Sequence, residues 1–177
     1  MEKLKLDQLK RVSVEEFKNQ EKLPVVLVLD NVRSMHNIGS IFRTSDGFSI
    51  KSIALCGITA KPPHREIEKT ALGATQSVDW KYFETTLNAV ESLRNQGYEI
   101  LAIEQAADST MLNIFEPDKE KKYALILGNE VNGVDEEVMK QIDKCIEIPQ
   151  FGTKHSFNIT IAAGIVLWDF FAKLRLK

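Results

Sequence analysis

Residues 25–48 read VVLVLDNVRSMHNIGSIFRTSDGF, and the stretch changes character partway along. Residues 25–30 are an apolar run rich in β-branched residues, the pattern of a strand buried on both faces. Beyond it, Ile38, Ile41, Phe42 and Phe48 recur at helical spacing and would pack against a core. A buried strand leading into an amphipathic helix is the building unit of a parallel sheet. Arg43 falls on the polar side of this helix, and with Asn37 and Gly39 it completes the pattern Asn-x-Gly-x-x-x-Arg. Asn37 is a good N-cap. Gly39 costs helix stability, so it needs a reason, and the expected one is open space beside Arg43.

The same alternation continues along the chain. Further strands are expected at SIALCG (52–57), SVDWKYF (77–83), EILAIE (99–104), YALILG (123–128) and CIEIP (145–149). Helices are expected at IEKTALGA, ended by Gly73, and at TTLNAVESLRNQG, closed by Gly97. DEEVMKQI carries acids in its first turn, as the helix dipole prefers. SFNITIAAGIVLWDFFAKL forms a closing helix. Near the start, Ser13-x-x-Glu16 is a capping-box pattern for a short helix carrying Phe17. The fold class is α/β, a mainly parallel sheet flanked by helices, with residues 1–23 as an N-terminal extension and 24–177 as the main domain.

The chain has 177 residues, 44% hydrophobic and 27% charged, which describes a folded domain with a sizeable core. Its net charge of −2 excludes a histone-like binder with a global cationic field, while leaving room for a local basic patch. Cys56 and Cys145 each sit in an apolar run, and two cysteines suggest neither a disulfide framework nor a zinc site. No metal is expected. The opening MEKLKLDQLKR lacks the apolar core of a signal peptide. ITIAAGIVLW (159–168) falls short of the roughly 20 residues that span a bilayer, so a cytoplasmic protein without a membrane contact is expected.

In parallel α/β folds, ligands sit beyond the carboxyl ends of the strands. Three loops there have unusual composition: DNVRSMHNIG, GNEVNG (128–133) and IPQFGTKHS ahead of the closing helix. Gly128 would let a ligand approach the backbone, and Glu130 is a carboxylate held in a turn. Ser156 reads as the N-cap of the closing helix. Neither a Walker loop nor the Gly-x-Gly-x-x-Gly dinucleotide fingerprint is present.

Taken together the three motifs resemble those of the SpoU, or TrmH-like, RNA 2′-O-ribose methyltransferases of the SPOUT class. Asn37-x-Gly39-x-x-x-Arg43 is similar to the first, and Gly128-Asn129-Glu130-x-x-Gly133 to the second. Ile148-Pro149 followed by Ser156-Phe157-Asn158 and a small, apolar helix is similar to the third. The likeness covers residues 24–172, nearly the whole chain. Phe157 departs from the leucine more usual there.

The resemblance implies a SPOUT methyltransferase domain with a deep C-terminal trefoil knot, acting as a homodimer and binding S-adenosyl-L-methionine. By position, the backbone around Ile103, Leu127, Gly128, Ile148 and Phe157 would hold that cofactor. Arg43 would be the catalytic residue, with Asn37, Glu130, Ser156 and Asn158 positioning it and the ribose. RNA contacts would come from Arg33, Lys61, His64 and Arg65, with Lys51 and Lys69 nearby in the same basic set. The compact layout suits transfer RNA. The alternatives are a ribosomal RNA 2′-O-methyltransferase and a catalytically silent RNA-binding protein of the same fold.

Overall fold

The computed structural model describes residues 3–5, 8, 9 and 11–176. The parts of the N-terminal extension at residues 1, 2, 6, 7 and 10, and Lys177, lie outside that description. Seven strands form one sheet in which every pairing is parallel. They are β1 (Leu23–Asp30), β2 (Ile50–Cys56), β3 (Trp80–Phe83), β4 (Tyr98–Ile103), β5 (Thr110–Met111), β6 (Lys122–Leu127) and β7 (Lys144–Glu147). Their order across the sheet is β3-β2-β1-β6-β4-β7-β5. The two-residue strand β5 carries no periodic signal and was not foreseen in the sequence.

The apolar run of β1 does what its composition requires. Val25, Leu27 and Leu29 enter one core layer, Val26 and Val28 the other. The first layer is closed by α1 (Val14–Asn19), α2 (Met35–Gly47), α3 (Arg65–Ala71) and α7 (Ile159–Phe171). The second is closed by α5 (Thr86–Asn95) and α6 (Glu136–Met139), through Ala89, Val90, Leu93 and Val138. Burial on both sides explains why central strands read as continuous hydrophobic runs instead of alternating ones.

The expected capping box is present. The Ser13 hydroxyl accepts from the Glu16 backbone N–H, the Glu16 carboxylate accepts from the Ser13 backbone N–H, and Phe17 is buried. Other end-points differ from the sequence reading. Helix α2 begins one turn earlier, with Ser34 as its N-cap accepting from the Asn37 backbone N–H at 3.3 Å. Asn37 is thereby inside the first turn, and its side chain is released for other work. The closing helix is capped by Asn158, whose Oδ1 accepts from the Thr160 backbone N–H at 2.8 Å, and Ser156 stays in the preceding loop. Helix α3 ends at Ala71 and is C-capped by Leu72, at a φ of 49°, while Gly73 is the N-cap of the short α4 (Ala74–Ser77).

Gly39 also has a different purpose. A Cβ there would drive into the Ile67 carbonyl oxygen and the Thr70 hydroxyl. The missing side chain lets α3 lie directly on α2, where the Thr70 hydroxyl donates to the His36 carbonyl at 2.9 Å. It is a packing glycine.

Candidate active site

Three strand ends and the loop before α7 enclose a cavity of about 280 Å³. Its walls include Ile103 at the end of β4, Leu127 and Gly128 at the end of β6, and Ile148 just past β7. Phe157, Ser156 and Asn158 close it from the loop, and Glu130 reaches it from the turn after β6. All five residues expected to hold a cofactor are therefore brought together, with three of the five expected to act on the substrate.

Asn37 joins this group through hydrogen bonds. Its Nδ2 donates to Glu130 Oε1 at 3.1 Å, and its Oδ1 accepts from Asn158 Nδ2 at 3.5 Å. The Glu130 carboxylate also accepts from the backbone N–H groups of Arg33 (3.1 Å) and Ser34 (3.2 Å). Burial pushes this carboxyl up, but the donors outweigh it: the Arg33 and Glu130 backbone N–H groups, the Asn37 amide and the Ser34 N–H. The net effect holds Glu130 below the usual glutamate range, as expected for a carboxylate fed by several donors.

Arg43 stands apart. It is exposed, does not line the cavity, and its guanidinium makes no hydrogen bond or ion pair among the described residues. A guanidinium left free on an ordered helix is available to an outside anion. The basic set is divided. Arg33 is exposed beside the turn that follows β6, while Lys61 and His64 lie in the loop between β2 and α3 and Arg65 is the first residue of α3. Lys61 Nζ sits 4.2 Å from the centroid of the Tyr82 ring, and His64 Nδ1 caps α3 by accepting from the Glu66 N–H. Lys69 is engaged with Glu66 at 2.7 Å.

Gly128 works differently from the expectation. A Cβ at this position would collide with the backbone of Gly133 and Val134, because residues 128–134 fold back on themselves. Asn129 and Gly133 exchange backbone hydrogen bonds of 2.9 Å across that turn. The glycine closes the loop first and borders the cavity second. Sequence reasoning missed Glu104, whose carboxylate braces the same loop by accepting from the Val134 N–H at 3.2 Å. It missed Gln105, Gln150 and His155 on the cavity wall as well. Glu104 follows the last residue of β4, so the rule that ligands gather beyond strand ends could have found it.

Apolar walls beside backbone polar groups, set past the ends of parallel strands, define an α/β protein with a built small-ligand site. The SpoU rRNA Methylase family model matches residues 24–168, and the chain belongs to that family. A tRNA (guanosine(18)-2′-O)-methyltransferase of Aquifex aeolicus is 34% identical over 176 residues, covering 96% of this chain and 78% of the relative. A Staphylococcus saprophyticus protein assigned to the TrmH family is 30% identical over 160 residues, and the match spans 90% of this chain but 63% of that longer one. Among solved structures, the A. aeolicus TrmH/SpoU tRNA modifying enzyme superposes with a TM-score of 0.79 at 26% identity, over 90% of this chain and 80% of that one. An AdoMet-bound rRNA methyltransferase from Sinorhizobium meliloti gives 0.77 at 27% identity, over 91% of this chain and 60% of that one.

Proposed function

We propose that this protein methylates a ribose 2′-hydroxyl of RNA, using S-adenosyl-L-methionine. The observation that carries the reading is the Asn37–Glu130–Asn158 join, which fixes the arginine-bearing helix α2 against the cavity. The cavity suits the cofactor: Ile103, Leu127 and Ile148 give apolar surface for an adenine, and the polar loop backbone around Gly128 and Phe157 suits the ribose and amino-acid ends. That cofactor supplies an electrophilic methyl on a sulfonium.

The chain must then place the hydroxyl and stabilise the charge that develops on it. Positioning supplies much of the rate in such a transfer. Arg43, whose guanidinium has no partner among the described residues, holds the neighbouring phosphate and stabilises the forming alkoxide. A guanidinium stays protonated in water and is a poor base, so its role is electrostatic and the hydroxyl proton leaves to water. Glu130 stays ionised and fixes the Asn37 amide. Asn158 caps α7 with its oxygen and turns its nitrogen to Asn37, while Ser156 borders the ribose side.

Transfer RNA is the proposed substrate, supported by the name of the A. aeolicus relative and its near-complete coverage of this chain. Ribosomal RNA is the alternative, supported by the S. meliloti structure. The remaining features of the reading are a trefoil knot formed by the segment after β7, a homodimer and a cytoplasmic location. The placement of β6 between β1 and β4, and of β7 between β4 and β5, supports the knot. Ile161 and Trp168, exposed on an otherwise apolar α7, support the dimer.

The test is incubation of the full chain with labelled S-adenosyl-L-methionine and total RNA from a strain lacking the gene, followed by mapping of the label. Label on one ribose of a tRNA is expected. Label on ribosomal RNA would replace the substrate, and RNA binding without transfer would leave the silent-protein reading standing.

A further inference from the structure

The turn that follows β6 has a second side. With the β1–α2 loop it bounds a separate crevice of about 390 Å³, bordered by Asp30, Arg33, Ile58, Val131, Asn132 and Asp135. This crevice lies where β1 and β6 run side by side. From there the chain departs to α2 on one face and to α6 on the other. In open parallel sheets that divergence leaves a gap in which ligands settle. The cofactor cavity lies elsewhere, past β4, β6 and β7.

The floor of the crevice is already committed. Asp30 is 1% exposed; its Oδ1 accepts from Asn31 Nδ2 at 2.9 Å and the Thr86 hydroxyl at 2.5 Å, its Oδ2 from the Asp135 N–H at 2.9 Å. The groups above it are free. The Arg33 guanidinium and the Asn132 side-chain amide make no hydrogen bond or ion pair among the described residues. Asp135 uses Oδ1 to accept from the Glu137 N–H, leaving Oδ2 open. Ile58 is 64% and Val131 76% exposed, so both aliphatic side chains stand open at the rim.

An aliphatic rim, a carboxylate oxygen, an amide and a guanidinium together suit one nucleotide of single-stranded RNA. The base lies on the aliphatic side chains, its N–H edge meets the carboxylate and amide, and its phosphate meets the guanidinium. Guanine, with adjacent N1–H and N2–H donors, satisfies a carboxylate better than uracil, which offers one N–H between two carbonyls. We propose that this crevice seats a guanine nucleotide of the substrate RNA. The inference rests on RNA being the substrate. It also gives the Arg33 backbone N–H, which holds Glu130, a route by which a seated nucleotide reports to the cofactor side.

The test is an amide NMR titration of the full chain with guanosine 5′-monophosphate and, separately, uridine 5′-monophosphate. Guanosine monophosphate should shift the amides of Ile58, Val131 and Asn132, and uridine monophosphate should leave them in place. Arg33→Ala and Asn132→Ala should each weaken that response by roughly tenfold while the melting temperature holds. No shift at these amides, equal shifts with both nucleotides, or shifts confined to the cavity around Gly128 would overturn the assignment. The titration is read without methyl transfer. RNA methylation by a chain that ignores the nucleotide would remove this site alone, and a seated nucleotide without methylation would remove the catalytic reading alone.

Discussion

Arg43 poses the sharpest question at the scale of one residue, because its guanidinium pairs with nothing among the described residues. Arg43→Ala should therefore leave the melting temperature nearly unchanged, since substitutions of exposed side chains typically shift stability by within about 0.5 kcal/mol. If the guanidinium stabilises charge only in the transition state, single-turnover methylation should slow by a factor on the order of 100 or more. Cofactor affinity should hold, and Arg43→Lys should recover little, because an ammonium lacks the planar two-pronged contact. Near-normal turnover by Arg43→Ala would reduce the residue to an ordinary surface charge. Glu130 makes the complementary case. Its carboxyl titrates below its unfolded value, so its contribution to stability is complete above the unfolded pKa and disappears as pH falls through the folded one. Melting curves of wild type and Glu130→Gln should accordingly converge as the pH drops below the usual glutamate range. A gap that stays constant with pH would show that ionisation of Glu130 does not matter.

Among the elements, two glycines decide close approaches. Gly39 lets α2 and α3 touch backbone to backbone, and Gly39→Ala should lower stability by about 1–3 kcal/mol, the usual penalty for overpacking. A thermal melt measures this; an unchanged midpoint would mean that α3 can move aside. Gly128→Ala should destabilise the ligand-free protein, because the added carbon meets the backbone of Gly133 and Val134. A mere clash with ligand would spare that melt and affect binding only. These helices and turns also show where sequence reading stops. Period and composition located α2, α5, α7 and six of the seven strands. They placed the N-caps at Asn37 and Ser156 where the structure has Ser34 and Asn158, since all four side chains can accept the same backbone hydrogen bonds. Neither signal could tell a glycine that admits a ligand from one that admits a helix, because the obstructing atoms lie far away in sequence.

For the whole molecule, the alternation of strand and helix was enough to give a parallel α/β sheet. The order of its strands was not available, because β4, β6 and β7 are all short apolar runs with nothing in their composition to rank them. The site became legible only when motifs distant in sequence were considered together, as with Asn37 and Glu130, 93 positions apart. The same scale carries the association prediction. Ile161 and Trp168 are 52% and 54% exposed on a helix whose other large side chains are mostly apolar. Analytical ultracentrifugation should show a dimer, and Ile161→Arg should shift it towards monomer. A wild-type monomer at micromolar concentration would contradict the shared interface.

The Asn37–Glu130–Asn158 join also sets a time at which the protein becomes competent. Its three members enter the chain in that order during synthesis, separated by 93 and then by a further 28 positions, out of a total span of 121. A domain generally folds as a unit, so its site is completed only when its last contributing element is present. A nascent chain that has formed β1, α2 and the turn after β6 still lacks the residue that ties them to α7. Until Asn158 emerges no copy can complete the three-way join, so an unfinished chain lacks the assembled site whatever it has folded by then.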